Sequence, residues 1–345
     1  MIKGEIKINY YIGIDGGGTS TKAYLSDENG IILSFAKGDS SNYQVIGIEK
    51  CLLSINNVLD DLFKKIELKK EDQIFSYLGL AGIDTDEDYI TMYPYLNKIK
   101  YLENTYLVND SDLALAGANA SHKGIVLIAG TGSIALAFDE NGYKKRVGGW
   151  GHIFDDKGSG YDIAVNSLQS FFRSFDGRDE KSLLYDLILE HFKLNNAEEV
   201  FNKVYVNQME RKEISKLSKV IFKAYEKGDE KAKKIIINTA LELSELIIAV
   251  LKEKDFNINS ILKNGTLEVP LVGGIFKSDS NLLFDTLKNN IEKFIHENKI
   301  DISNVIFSRP KFNPAIGGIL LAMKKKNICI DEKIIENLKN GKCIY

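Results

Sequence analysis

The stretch Ile12-Gly-Ile-Asp-Gly-Gly-Gly-Thr-Ser-Thr-Lys-Ala-Tyr-Leu25 sets a carboxylate and three consecutive glycines between two runs that read as β-strands. This is the layout of a phosphate-gripping hairpin. Glycine tolerates positive φ and has no Cβ, so a ligand approaching Gly16, Gly17 and Gly18 can collect several backbone N–H groups at once. Thr19, Ser20 and Thr21 add hydroxyls, and Asp15 is placed to hold a hydrated Mg²⁺ beside the phosphates. Two commoner glycine motifs fail. A dinucleotide fingerprint needs a third glycine leading into a helix, but Thr21 stands there and Lys22-Ala-Tyr-Leu-Ser reads as strand. No Walker A pattern occurs in the chain. The plain alternative is an ordinary glycine-rich turn.

The rest of the chain repeats the opening pattern. Ile31-Ile-Leu-Ser-Phe35 continues the hairpin, and a helix follows with apolar residues at Ile48, Leu52, Ile55, Leu59, Leu62 and Ile66. Strands are expected at Ile74–Leu80 and Thr105–Val108, each ending in small or acidic residues, where ligands sit in open α/β sheets. Then Gly124–Ala129 reads as a buried strand, Gly130-Thr-Gly-Ser133 as a turn and Ile134–Phe138 as its partner strand. Asp139-Glu-Asn-Gly142 closes this hairpin as Asp27-Glu-Asn-Gly30 closes the first. Two phosphate-type hairpins in similar frames signal an internal duplication, which is more specific than either turn alone.

Composition sets the bounds. A chain of 345 residues suits two domains, and 44% hydrophobic with 27% charged residues fits a globular protein. No apolar run reaches membrane-spanning length, and Met1–Lys7 lacks a signal-peptide core, so the expectation is a cytoplasmic protein without a membrane partner. A net charge of −3 argues against nucleic acid as a partner, and Lys324–Lys326 reads as a solvated helix end. Cys51, Cys329 and Cys343 have no metal-ligand spacing, and the four histidines are scattered.

The chain resembles the BadF/BadG/BcrA/BcrD ATPase family of the actin, hexokinase and Hsp70 superfamily, and within it the N-acetylglucosamine kinases. The resemblance runs almost end to end, through Asp15–Lys22, Ser41-Asn42, Leu80-Ala-Gly82, Asn109-Asp110, Ala129–Ser133, Gly148–His152, Asp156–Ser159, Leu271–Ile275 and Pro314–Gly318. It implies an α/β fold of duplicated ribonuclease H-like (actin/hexokinase-type) domains, each a mixed sheet flanked by helices, with a cleft between. The expected division is 1–117 for an N-terminal lobe and 118–345 for a larger C-terminal lobe, whose last helix packs back on the first. ATP and Mg²⁺ are the implied cofactors, an amino sugar the substrate and a homodimer the assembly.

Residue by residue, the resemblance gives Asp15 and the turn through Thr19 and Ser20 as the first phosphate loop, and Thr131 with Gly132 as the second. Gly273 and Gly274 match the turn lying against adenosine, and Ser215 aligns loosely with another nucleotide contact. Asp110, following its strand, stands at the position of the catalytic base; Asp112 competes, and a helix cap is the bland role for either. Asn42, the Gly149-Trp150-Gly151 loop and Asp156 match sugar-binding positions, with Gly82 and Asp84 on a further loop. A lone tryptophan is more often a core anchor, although the glycines around Trp150 oppose that role, and His152 reads as a structural hydrogen bonder. Where relatives read Gly-Asp-Glu-Gly-Ser, this chain has Asp155-Asp156-Lys157-Gly158-Ser159, which puts the sugar preference in doubt.

The favoured activity is therefore phosphorylation of a hexosamine, with O6 of N-acetylglucosamine first and N-acetylmuramic acid or glucosamine behind it. Two alternatives stand against it. An ATPase activating a CoA-ester reductase or dehydratase needs interface cysteines for an iron–sulfur cluster, and no cysteine pair lies near the glycine motifs. A non-catalytic sugar sensor of the regulator type usually carries a DNA-binding segment before its first strand.

Overall fold

The computed structural model describes residues 8–278 and 280–341; the run Met1–Lys7 and Cys343 lie outside them. Backbone contacts divide the chain into two units. One takes the residues up to Lys123 and those from Pro310 onward, and the other takes Gly124–Arg309.

In the first unit, β1 (Asn9–Gly16), β2 (Thr21–Ser26) and β3 (Ile32–Gly38) form an antiparallel meander. β4 (Gln73–Leu80) and β5 (Thr105–Asn109) extend it in parallel on the other side of β1. The order is β3-β2-β1-β4-β5. Side chains alternate across a strand, and β1 is covered on both faces. Tyr10, Ile12 and Ile14 pack with Ile55, Val58, Leu59 and Leu62 of the helix Ile48–Phe63. Tyr11 faces the opposite way, among Ile316, Ile319 and Leu320 of the helix Pro314–Lys325. The first of these helices ends sooner than its periodicity suggests: Ile66 lies past it, its N–H bonded to the Phe63 carbonyl in a closing turn.

The second unit repeats this plan around its own core. β6 (Gly124–Ala129), β7 (Ser133–Phe138) and β8 (Lys144–Gly148) are antiparallel neighbours. β9 (Thr266–Val272) and β10 (Asn304–Ser308) add in parallel beside β6. The order β10-β9-β6-β7-β8 is the first sheet's order with β6 in place of β1, and so on through the set. The echoed Asp-Glu-Asn-Gly turns are also equivalent in geometry. Asp27 Oδ1 accepts the N–H groups of Asn29 and Ile31, while Asp139 Oδ1 accepts those of Asn141 and Tyr143. Gly30 and Gly142 close them at φ 78° and 83°, where L side chains are strained.

The sequence placed a boundary after residue 117; the observed one falls after Lys123, and the chain beyond Arg309 returns to the first unit. Glycines explain the return. A Cβ on Gly13 would stand 1.7 Å from the Ala315 carbonyl oxygen, and one on Gly318 would stand 2.7 Å from Gly13 Cα. The helix Pro314–Lys325 therefore lies directly on the backbone of β1. The same helix meets the helix Asp110–Asn119 through Gly117 and Gly317, where a Cβ on Gly317 would reach the Leu113 carbonyl oxygen at 2.2 Å. Helix propensity alone favours alanine over glycine by about 1 kcal/mol. We expect Gly317→Ala to lower stability in spite of that gain, by about 1–3 kcal/mol of overpacking, read as an earlier urea midpoint. An unchanged or later midpoint would refute the close-packing account.

Candidate active site

In the first unit, the expected groups gather at the edge where β1, β3, β4 and β5 end. Asp15 is the penultimate residue of β1, and Gly17 N–H closes the turn by donating to the Ser20 carbonyl at 3.1 Å. Gly16 and Gly18 serve different ends. A Cβ on Gly16 would press Leu80 and Ser41 at 2.3 Å, whereas one on Gly18 would meet nothing within 4 Å. None of Gly16, Gly17 and Gly18 adopts positive φ, so the absent side chain, not left-handed backbone, is what this turn uses. Thr19 and Gly18 are exposed and Ser20 is half-buried. Thr21 is buried, its hydroxyl donating to the Asp39 carbonyl at 2.7 Å and lying 2.8 Å from the Ser41 hydroxyl, from which it can accept.

Asp110 opens the helix Asp110–Asn119 and is not its cap. That role belongs to Asn109, whose Oδ1 accepts the Ser111 N–H at 3.0 Å while its amide nitrogen donates to Asp84 Oδ1 at 3.1 Å and to the Ile83 carbonyl at 3.0 Å. One asparagine thus ties the Gly82–Asp84 loop to the start of the Asp110 helix. Asn42 lies beside Gly82, where a Cβ would stand 2.8 Å from its Oδ1. Its Oδ1 caps a short helix through the Gln44 N–H at 3.1 Å, which leaves the amide nitrogen as its donor toward a ligand.

The carboxylates of this edge repel one another. Burial, then the charges of Asp15 and Asp84, push Asp110 up to about 7 against the Ser111 backbone hydrogen bond. Burial likewise raises Asp15 to about 6, opposed by Lys22 across the hairpin. Both residues are only half-buried, so an open face remains. The Asp15 and Asp110 carboxylates supply oxygen donors of the kind a hydrated divalent cation prefers.

In the second unit, β6, β8 and β9 end together. The Gly130 N–H donates to the Gly132 carbonyl at 2.9 Å, closing the turn that carries Thr131. Ser215 arrives at the end of the helix Arg211–Ser215, with its hydroxyl 3.5 Å from Thr131 Oγ1. Gly273, at φ 116°, presses its backbone on this turn, for a Cβ would stand 2.2 Å from the Ala129 carbonyl oxygen. Gly274 faces open space. Of the pair expected at adenosine, Gly273 serves the fold and Gly274 leaves room for a ligand.

The glycine-rich segment after β8 holds Trp150 outward at 60% exposure, under the Arg146 guanidinium at 4.6 Å. It is no core anchor. Gly149 and Gly151 stand at φ 76° and 85°, and Arg146 Nη2 donates to the Gly149 carbonyl at 2.6 Å. His152 rests edge-on against Tyr161. Asp155 Oδ2 accepts the Trp150 N–H in a long 3.4 Å contact, and the Lys157 ammonium binds Asp162 Oδ1 at 3.0 Å. Of the two departures from the family pattern, Asp155 thus bonds within the segment and Lys157 ties it to the following helix, Gly160–Phe175.

Asp156 is buried, left-handed at φ 63° and held at both oxygens: Oδ1 by the Ser133 N–H at 3.1 Å and Oδ2 by Arg211 Nη2 at 2.8 Å. A Cβ on Gly132 would come within 2.6 Å of that carboxylate. Gly132 is small for the sake of Asp156 as well as for any phosphate. Sequence reasoning missed Arg211 and Asn109 as positioners. The one available signal for Arg211 is its spacing of one helical turn from Ser215.

Raised carboxylate pKa values have a sign in stability. Between the ordinary range near 3.8 and about 7, folded Asp110 holds a proton that the unfolded chain has released, so stability falls as pH rises through that interval. Asp110→Asn removes the charge and keeps the shape. The ligand-free variant is expected to melt later than wild type at pH 8, by about 2–4 °C, and to converge on it near pH 4. A variant that melts earlier at pH 8 would overturn the electrostatic account.

The sequence matches the BadF/BadG/BcrA/BcrD ATPase family over residues 12–322. An N-acetylmuramic acid/N-acetylglucosamine kinase of Clostridium acetobutylicum is 32% identical over 91% of this chain and 98% of its own. An N-acetyl-D-glucosamine kinase of Dictyostelium discoideum is 29% identical over 92% and 98%. Among solved structures, a candidate N-acetylglucosamine kinase of Chromobacterium violaceum superposes with a TM-score of 0.70 at 23% identity, covering 92% of this chain and 99% of that one. The ROK hexokinase of Thermus thermophilus gives 0.57 at 12%, with coverage of 92% and 99%. The structural likenesses speak for the fold, two actin-like units of five mixed strands each. With the family match spanning both of them, the chain belongs to the BadF/BadG/BcrA/BcrD ATPase family.

Proposed function

We propose that this chain is an ATP-dependent amino-sugar kinase that moves the γ-phosphate to a hexosamine hydroxyl, with O6 of N-acetylglucosamine the favoured acceptor and N-acetylmuramic acid and glucosamine in range. The observation that carries the reading is Asp110: a half-buried carboxylate raised to about 7 and placed at the start of its helix while Asn109 does the capping. A base near the working pH is suited to take the proton of an attacking hydroxyl. The names of the relatives over nearly the whole chain point the same way.

In phosphoryl transfer most of the rate comes from alignment and charge neutralisation. The turns at Gly16–Ser20 and Thr131–Gly132 supply backbone N–H groups and hydroxyls to the phosphates, and Gly274 with Ser215 borders the nucleoside. Asp15, with Asp110 beside it, would hold Mg²⁺ through water. Bound there, the ion would neutralise phosphate charge. Asn42 donates its amide to the sugar, Gly82 and Asp84 border it, and Gly149, Trp150 and Gly151 offer backbone groups and a flat wall. A chain that consumes ATP and shows no helix long and apolar enough to cross a membrane, among the described residues, is best placed in the cytoplasm.

The activator reading finds no footing in the cysteines. Cys51 is buried with its thiol against the Ser41 carbonyl, and among the described residues no cysteine belongs to a group of three or more His, Cys, Asp or Glu side chains that could hold a metal. ADP release should depend on an amino sugar across a panel of hexoses and hexosamines. Asp110→Asn should cut it by about 100-fold or more, the scale of a lost general base, with nucleotide binding retained. Turnover that ignores the sugar, or a variant as fast as wild type, would sink the proposal.

A further inference from the structure

We propose that Arg211 is a positioning residue which locks the Asp156 carboxylate against the second phosphate turn, so that a sugar-contacting group and a nucleotide-contacting turn are built as one piece. The inference rests on the amino-sugar reading of Asp156. Four observations support it. The Asp156 carboxylate is buried, its side chain only 7% exposed, and Arg211 Nη2 meets it at 2.8 Å. The acid's other oxygen receives the Ser133 N–H at 3.1 Å, the first amide after the Thr131–Gly132 turn. The backbone at Asp156 is left-handed at φ 63°, a conformation aspartate adopts more readily than most residues and which here turns its carboxylate toward both partners. The guanidinium lies 5.2 Å from the Tyr161 ring centre, and its Nε–H is buried without a partner, a loss accepted to aim Nη2 at the acid.

The far end of the same short helix completes the link. Ser215 lies one turn on from Arg211 and brings its hydroxyl 3.5 Å from Thr131 Oγ1. The helix Arg211–Ser215 therefore touches the turn directly at one end and through Asp156 at the other. A carboxylate with two oxygens accepts about four hydrogen bonds, so the two contacts present fix its orientation and leave lone pairs for sugar hydroxyls. Without the guanidinium, Asp156 keeps its charge in a buried place and loses the contact that decides which way those lone pairs point.

The test compares wild type with Arg211→Met and Arg211→Lys. Sugar binding is followed by fluorescence of Trp150, the single tryptophan, and turnover by ADP release at varied N-acetylglucosamine and ATP. Arg211→Met should raise the sugar Kd and KM by about 10-fold or more, the scale of losing a residue that orients a contacting group, with kcat changed by less than about threefold. Arg211→Lys should recover part of the loss, since an ammonium keeps the charge without the planar fork. If Arg211→Met does not fold, the sugar Kd of Arg211→Lys decides, with a rise supporting the lock and no change refuting it. An unchanged sugar Kd in Arg211→Met, or equal losses in kcat and both KM values without recovery by lysine, would overturn the proposal in favour of a purely structural arginine. Wild type that binds the sugar but does not turn over would defeat the kinase reading while leaving the Arg211 comparison intact.

Discussion

Backbone pressed on backbone is the constraint on which the first unit depends. The helix Pro314–Lys325 touches β1 at Gly13 and the helix Asp110–Asn119 at Gly117, and no side chain intervenes at either contact. Gly13 lies two residues before Asp15, and Gly117 lies on the helix that Asp110 begins. The two acids of the candidate site are therefore referred to a common rigid part, supplied by the last stretch of the chain. Close packing leaves little room to relax, which is what a site needing sub-ångström alignment requires. It also gives the Pro314–Gly318 motif a purely structural meaning.

Duplication supplied the frame, and divergence at equivalent strand ends supplied the chemistry. The loop after β3 carries Asn42, and the loop after β8 carries Trp150. The end of β4 leads to Gly82, and that of β9 to Gly273, both glycines at positive φ. After β5 comes Asp110, whereas the corresponding end of β10 runs to Arg309. The hairpin turns differ as well: Gly17 N–H closes the first on the Ser20 carbonyl, and Gly130 N–H closes the shorter second one on the Gly132 carbonyl.

The duplicated fold was legible because its signals are local: alternation along β1, the glycine turns and the repeated Asp-Glu-Asn-Gly. The positions of Asp15 and Asp110 at strand ends were legible for the same reason. Positive φ, invoked for Gly16 to Gly18, was not what those glycines provide. Their open or crowded Cβ directions depend on Leu80 and Ser41, residues distant in sequence. The return of the last helix was expected from the resemblance; that the whole stretch from Pro310 joins the first unit rests on contacts between segments far apart in the sequence, which no local pattern announces. Arg211 stayed hidden on the same ground: nothing in its neighbours announces a buried carboxylate 55 positions away.

The electrostatics of the first unit show why a site of this kind is costly to keep. Burial and then the charges of Asp15 and Asp84 raise Asp110, while burial raises Asp15 against the pull of Lys22. Asn109 binds Asp84 through its amide and so holds a negative charge near Asp110, a contact that serves no stability the acids would choose for themselves. A chain optimised for folding alone would replace one acid by its amide. Keeping the acids costs stability that the amide would not, which marks this edge as selected for more than folding. The buried pair in the second unit follows the opposite rule. Asp156 carries its own cation in Arg211 and needs none from outside. The two units thus treat a carboxylate of the candidate site in opposite ways: Asp110 is raised by burial and by its neighbours, and Asp156 is paired with a guanidinium.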